Sequence, residues 1–248
     1  MNRREKLTPS KGFSHFLHIL LVTVLPVLVY VLVTLPLVPL AYSIVLLSKW
    51  RMLAVRPRHW PANIRANSVD IIIGLATVSF MAQAPSQAWR LIWAVGYAVW
   101  LLIIKPRSSV FGTSIQGVLG QVLGLAAIYL LWGHSSLLTL VVATWGVCYL
   151  SARHFLGSFD EPYSSLIAHT WGYFGAALAW ILGHWLLYYS FLAQPMLLLS
   201  VIGMGLAALY YLENNDRLSR FIRREIVLIM SAVIIVVIMF SSWGDRAV

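Results

Sequence analysis

Charged residues are scarce in this sequence, where Asp, Glu, Lys and Arg make up 10% of the 248 residues and 60% are hydrophobic. A soluble domain carries about 25% charged residues. No polar stretch is long enough for a separate water-soluble domain. We therefore expect a basic N-terminal segment at residues 1–13, followed by one transmembrane helical domain over residues 14–248.

Lysine and cysteine are rarer still. A retinal-binding protein needs a lysine in the middle of its last helix for the Schiff base, and the four lysines lie at or beyond the ends of predicted helices. The single cysteine, Cys148, cannot form an internal disulfide. We therefore predict no retinal and no internal disulfide. The lysines are Lys6, Lys11, Lys49 and Lys105.

Recognised catalytic motifs are absent: the sequence has no Gly-x-x-x-x-Gly-Lys-Ser/Thr, no His-Glu-x-x-His and no Gly-x-Ser-x-Gly. His169 and His184 would lie about 22 Å apart on one helix, a spacing that suits two stacked haems. A second helix with a matching histidine pair is missing, which argues against haem. The net charge of +10 has no aromatic pattern or nucleic-acid motif beside it, so we predict no nucleic-acid partner.

Long apolar stretches predict an all-α, polytopic transmembrane bundle of about nine spans, because a spanning helix needs about 20 residues. The second stretch, at 36–50, is short and begins with Pro36 and Pro39. It predicts a proline-turned hairpin with the first span, and leaves open whether 36–50 fully crosses or is re-entrant. The predicted spans are Ser14–Thr34, Pro36–Trp50, Ala66–Gln83, Gln87–Ile104, Val110–Trp132, Ser136–Leu150, Tyr163–Tyr188, Phe191–Leu212 and Arg224–Trp243.

The distribution of basic residues predicts the orientation. With nine spans, every Lys and Arg except Arg90 and Arg246 falls on the side of the N-terminus. Lys and Arg are enriched in cytoplasmic loops, so we expect a cytoplasmic N-terminus and a multi-pass location in the cell membrane, or the inner membrane in a bacterium. The expected partners of these charges are the lipid bilayer and its anionic lipids at the cytoplasmic face.

The connection between the sixth and seventh spans carries His154, Asp160 and Glu161, and His169 follows in the next helix. Imidazoles and carboxylates could form a catalytic acid–base pair or a metal site. Their spacing matches no known ligand pattern. We therefore prefer a structural interpretation, in which Asp160 or Glu161 caps the seventh helix and Pro162 occupies its first turn.

The seventh predicted helix carries a polar and aromatic stripe. His169, Tyr173, Ala176, Trp180 and His184 recur at steps of three or four residues, so they share one helix face. Such a stripe should face the bundle interior or a cavity. It predicts either hydrogen bonds that fix helix packing, which we prefer, or a ligand-binding site or proton path.

Two charged residues fall inside predicted spans. Asp70 lies one turn into the third span and Arg90 one turn into the fourth, from the opposite side. An ionisable residue within the membrane is a candidate functional group, although a position near a helix end also allows contact with water. We expect the two to lie too far apart in depth to pair.

The fifth predicted helix is rich in glycine. Gly117, Gly120 and Gly124 allow close approach of another backbone, and Gln116 and Gln121 could bond across such an interface. This pattern predicts a packing element inside the bundle, or a contact with a second copy or a partner subunit.

Together these features favour non-enzymatic binding or transport of a small or lipid-like ligand, or a role as a subunit of a membrane complex. The first alternative is an intramembrane enzyme that modifies a lipid at the cytoplasmic leaflet with His154, Asp160, Glu161 and His169. The second is a structural membrane scaffold. Composition and motifs do not decide between an enzyme and a binding protein, nor do they name a metal.

Overall fold

The computed structural model describes residues 13–133, 135–159, 161–184, 188–189 and 192–241. This part of the chain folds into nine α-helices and one short hairpin of two-residue strands, which confirms the predicted all-α class. The helices are α1 (Phe13–Thr34), α2 (Val38–Leu47), α3 (Trp60–Ala82), α4 (Gln87–Val99), α5 (Val110–Trp132), α6 (Leu137–Leu156), α7 (Ser164–Gly183), α8 (Gln194–Asn214) and α9 (Arg220–Phe240), and the strands are β1 (Tyr188–Tyr189) and β2 (Leu192–Ala193).

Five helices in the described part of the chain are long and apolar enough to cross a membrane. The outer faces agree with a lipid environment: on α4, Leu91, Ile92 and Val95 are each more than half exposed. A continuous apolar surface of this kind is unfavourable in water. The five segments are Pro57–Ala82, Gln87–Ile104, Val110–Trp132, Ser164–Gly183 and Gln194–Asn214.

Local sequence explains where several helices begin. Ser109, Ser136 and Ser219 are N-caps, and each hydroxyl accepts a hydrogen bond from a backbone N–H in the first turn of α5, α6 or α9. A serine cap satisfies one of the donors that the first turn of a helix leaves unpaired. The first turns of α2, α3 and α8 instead contain a proline, which has no N–H to satisfy.

The first two helices form a hairpin. Val29 and Val33 of α1 pack against Ala41 and Val45 of α2 in one buried cluster. Helix α2 then runs along α3, where the Tyr42 and Ser79 hydroxyls lie 3.0 Å apart. With ten residues, α2 is only about 15 Å long.

The glycines of α5 are packed within the chain. A Cβ at Gly120 would lie 2.9 Å from Val69 of α3, and one at Gly117 would lie 3.0 Å from Phe155 of α6. Gly124 lies between α3 and α6. The predicted packing role of Gly117, Gly120 and Gly124 is thus seen inside the bundle. Because its own helices cover these glycines, association with a second copy, which stays a prediction, would need another surface.

Candidate functional site: a buried charge cluster and an apolar cavity

A cluster of charges surrounds Asp70, which is buried in α3. The Nζ atoms of Lys49 and Lys105 lie 2.5 and 2.6 Å from the same carboxylate oxygen, Oδ2. The indole Nε1–H of Trp100 donates to the other oxygen, Oδ1, over 3.0 Å. The Asp70 cluster, as we call these four residues, joins the C-terminal ends of α2 and α4 to α3.

A π-helical turn at Trp100–Ile104 positions two members of the Asp70 cluster. This turn continues α4, and the backbone N–H of Lys105 donates to the carbonyl of Trp100, five residues earlier. The wider turn changes the register of the helix, so that Trp100 and Lys105 both reach Asp70. Single π turns are frequent at functional sites.

The cluster carries more positive than negative charge, because two ammonium groups share one carboxylate. The side chain of Lys49 is only 7% exposed, while that of Lys105 is 40% exposed. Lys49 lies just beyond the C-terminal end of α2, and its ammonium group is buried against Asp70. Removing charges from water is costly unless they are well paired.

Next to the cluster, Gln116 of α5 holds the connection between α4 and α5. Its Nε2 lies within hydrogen-bond distance of the carbonyls of Ile104, Lys105 and Arg107, at 2.8 to 3.2 Å. Its Oε1 lies 3.0 Å from Nε2 of His154. Gln116 therefore fixes the backbone that carries Lys105. We call this end of the bundle, with Lys49, Lys105 and His154, the basic end.

A cavity of about 140 Å³ lies between α5, α6, α7 and α8, and we call it the α5–α8 cavity. Its wall is almost entirely apolar. Polar groups are confined to a few positions. Residues from each of the four helices line it, among them Gly117, Gln121, Phe155, Trp171, Ala207 and Tyr210.

Buried hydrogen bonds hold the helices around this cavity. Gln121 of α5 accepts a 2.8 Å hydrogen bond from the indole of Trp171 on α7 and donates one of 2.9 Å to the carbonyl of Leu199 on α8. At one edge of the cavity, the Tyr210 hydroxyl donates to Glu161 over 2.5 Å. The cavity thus has an apolar wall and a polar edge beside the connection between α6 and α7.

A larger apolar groove of about 530 Å³ lies between α2, α3, α5 and α6. The hydroxyls of Tyr42 and Ser79, both in its wall, lie within hydrogen-bond distance of each other. Because these hydroxyls already have partners, the groove offers a ligand little beyond apolar contact. The α5–α8 cavity is better suited to a ligand with a polar end.

The aromatic stripe of α7 does not face the bundle interior, so that prediction is wrong. Tyr173 is 63% and Trp180 51% exposed, and His184 is also exposed. His169 packs on the ring of Tyr149, with centroids 4.5 Å apart, at the edge of the α6–α7 contact. A ligand-binding site on this stripe stays a prediction, and it would lie on the outer surface. Its predicted residues are His169, Tyr173, Trp180 and His184.

The opposite face of α7 explains this orientation. Ala168, Gly172, Gly175 and Ala179 are buried there, and a Cβ at Gly175 would lie 2.8 Å from the Cys148 sulfur of α6. Small residues let two helix backbones approach closely, which favours this face for packing. The large aromatic side chains are left on the outside. These small residues are spaced by four, three and four positions, which is typical of one helix face. This spacing is the sequence pattern that indicates the packed face of α7.

The catalytic candidates have separate partners. His154 contacts Gln116, His169 bonds the carbonyl of Ser165, and Glu161 accepts from Tyr210 and from the backbone of Tyr163. The Tyr163 N–H that bonds Glu161 belongs to the residue before α7, and no side-chain cap hydrogen bond is seen at this N-cap, so the predicted capping by Glu161 is not observed. Because α7 begins at Ser164, Pro162 precedes the first turn, and its predicted place in that turn is wrong. Asp160 lies outside the described residues. Within the described ranges, no three His, Cys, Asp or Glu side chains gather into a possible metal site.

Of the two predicted intramembrane charges, only Asp70 is seen in an ion pair in the described part of the chain. Arg90 does not appear in its cluster, and the Arg90 Nε is buried without a hydrogen-bond partner among the described residues. The expectation that Asp70 and Arg90 would not pair agrees with these contacts. The partners of Asp70 are lysines that sequence reasoning had placed at helix ends.

Comparison with known proteins adds no relative from which a function could be transferred. No family model matches the chain, and no curated protein or solved structure matches it either.

Proposed function

We propose that this chain is a multi-pass membrane protein with nine membrane segments and a cytoplasmic N-terminus, and that it binds a lipid-like ligand in the α5–α8 cavity. The ligand is amphiphilic, with an apolar part in the cavity and a polar part at the cytoplasmic end. In this proposal the protein binds or moves its ligand and carries out no chemistry on it.

Contacts at the basic end support the proposed orientation. Lys49 follows α2 and Lys105 follows α4, and both reach Asp70 of α3, whose N-terminal turns pack against the connection after α2. Gln116 and His154 continue these contacts to the start of α5 and the end of α6. Basic residues from successive connections thus meet at one end of the bundle, as expected for the cytoplasmic side.

The apolar wall of the α5–α8 cavity is the observation that carries the proposed ligand class. An apolar cavity of about 150 Å³ stays dry and can take up a group of the size of benzene. At about 140 Å³, the cavity would accept a ring or part of an alkyl chain. Burying such a group is favourable by about 25 cal/mol for each Å² of apolar surface.

The edge of the cavity supports a ligand with a polar end. Tyr210 lines the cavity, and its hydroxyl donates to the carboxylate of Glu161 in the connection between α6 and α7. A headgroup beside these residues would find both donors and acceptors, while its tail stayed in the cavity. The lipid-modifying enzyme and the scaffold remain alternatives, but no contact of His154, Glu161 or His169 favours catalysis.

Filling the cavity tests this proposal. We expect Ala207→Phe to reduce retention of the bound amphiphile at least about tenfold, equivalent to about 1.4 kcal/mol of affinity, because the ring occupies the apolar space. Native mass spectrometry of the detergent-purified protein would measure the retained molecules. The same change at Ala177, which is exposed on α7, is the control and should leave retention unchanged. Equal retention by wild type and both variants, or none by wild type, would contradict the proposal.

Reporter fusions test the orientation separately. We expect reporters in the 48–59 connection and in the 215–219 connection to be on the same, cytoplasmic, face, because each connection, together with the first turns of the helix that follows it, carries clustered arginines. Paired fusions to green fluorescent protein and alkaline phosphatase would measure this, and the 84–86 connection supplies a control on the other face. Opposite locations for the two arginine-rich connections would contradict the nine-segment arrangement.

A further inference from the structure

We propose that Lys49 and Lys105 form a binding site for a phosphate group at the basic end of the bundle. The site belongs to α2, α3 and α4 and uses none of the residues that line the α5–α8 cavity. It is therefore independent of the lipid-binding proposal.

The Asp70 cluster carries an excess positive charge. Among the described residues, Asp70 is the only carboxylate seen in contact with these two lysines. Its single negative charge neutralises only one of the two ammonium groups. Both Nζ atoms contact Oδ2 of Asp70, at 2.5 and 2.6 Å, so the two ammonium groups are close neighbours. An anion that contacts both would balance the remaining charge.

Trp100 determines which carboxylate oxygen of Asp70 the two lysines contact. The indole N–H of Trp100 donates to Oδ1, and both lysines contact Oδ2. An ammonium group has three N–H donors, so each lysine keeps donors for a further acceptor. A phosphate group supplies several strong acceptor oxygens and could bridge two neighbouring ammonium groups.

The Asp70 cluster is accessible from the side of Lys105. Lys49 is held in place by burial, whereas the side chain of Lys105 is 40% exposed and opens the cluster to its surroundings. Arg56 and Arg58 are exposed on the adjoining connection after α2. Their positive field would raise the local concentration of anions. Both a free phosphate ion and a phospholipid headgroup have the required chemistry.

Lys105→Ala is the informative variant. It removes the excess charge but keeps the buried Lys49–Asp70 pair, so the fold should be retained. Arg107→Ala is the matched control, because it removes one exposed positive charge two residues away. We expect phosphate to bind at least about tenfold more weakly to Lys105→Ala than to wild type, since a hydrogen bond to a charged group contributes about that factor. Arg107→Ala should stay within about threefold of wild type.

Two probes separate the possible sources of the phosphate. The detergent-purified proteins would be titrated with sodium phosphate against sodium chloride of equal ionic strength, and separately with dihexanoyl phosphatidic acid, with the melting temperature as readout. A shift with sodium phosphate identifies a site open to free anions, and a shift with phosphatidic acid alone identifies a headgroup site. Either shift in melting temperature supports the proposal if it is absent from Lys105→Ala.

The proposal fails if neither probe shifts the melting temperature of wild type beyond the chloride control. It also fails if Lys105→Ala responds like wild type, or if Arg107→Ala loses the response equally. Circular dichroism of Lys105→Ala before titration would show that a lost response does not come from a lost fold.

Discussion

Asp70→Asn is expected to lower the free energy of unfolding by about 3–5 kcal/mol, the typical cost of removing one partner from a buried ion pair. The amide would leave two ammonium groups facing each other without a counter-charge. Lys105, at 40% exposure, can turn towards solvent, so most of the cost comes from Lys49, which is 7% exposed. Unfolding in mixed micelles with increasing sodium dodecyl sulfate, followed by circular dichroism, would measure the change.

Asp216→Asn is the matched control, because Asp216 is exposed and its φ of 54° is one that asparagine also adopts readily. It should change the free energy of unfolding by no more than about 0.5 kcal/mol. Adding Lys49→Met to Asp70→Asn should recover part of the loss by removing the buried charge. If Asp70→Asn were as stable as Asp216→Asn, the Asp70 cluster would not contribute to stability as described.

Gly124→Leu should lower the free energy of unfolding by about 1–3 kcal/mol or more, because it overpacks a tight contact. A Cβ at Gly124 would lie 2.6 Å from a methyl carbon of Ile72 on α3 and 2.9 Å from one of Val147 on α6. The three helices would have to separate to admit a larger side chain. The same denaturation in mixed micelles would detect the loss.

Gly146→Leu gives the comparison for this prediction. Gly146 lies on α6 with nothing within 4 Å of an added Cβ, so leucine there should cost no more than about 0.5 kcal/mol. The two variants insert the same side chain into neighbouring helices, and leucine is also the better helix former at both positions. Equal stability of the two variants would rule out tight packing of Gly124 between α3 and α6.

The helical class and several apolar segments were predictable from the sequence, because the physics involved is local. Helices at 87–104 and 110–132 follow from runs of apolar residues and from start and stop signals such as Ser109. Asp70 was also recognisable as a candidate, since an ionisable residue in an apolar segment is unusual. These inferences need no knowledge of which helices are neighbours.

The partners of Asp70 were not predictable in the same way. Lys49 and Lys105 are 21 and 35 residues away from it in sequence, and they meet only because α2 and α4 both pack on α3. The π turn at Trp100–Ile104 has no strong sequence signature, yet it decides the direction of Lys105. The position of the α5–α8 cavity likewise depends on four helices together.

The α7 result shows how two sequence patterns on one helix can compete. The polar and aromatic stripe from His169 to His184 predicted an interior face from the chemistry of its side chains. The small residues from Ala168 to Ala179 decided the outcome, because close backbone approach to α6 buries that face. Trp180 lies in the last turn of α7, at a depth where tryptophan rings are favoured in the interfacial region of the bilayer.

The shortness of α2 has a consequence for the surrounding lipid. In the proposed nine-segment arrangement, the flank formed by α2 would offer about 15 Å of helix to a hydrocarbon layer of about 30 Å, whereas α5 and α8 are about twice as long. Leu40, Leu46 and Leu47 are exposed on α2, so acyl chains must meet that flank. Such hydrophobic mismatch is relieved by local thinning or tilting, at a fraction of a kcal/mol per Å. The protein would therefore impose a gradient of bilayer thickness across its own width, thinnest beside the α1–α2 hairpin.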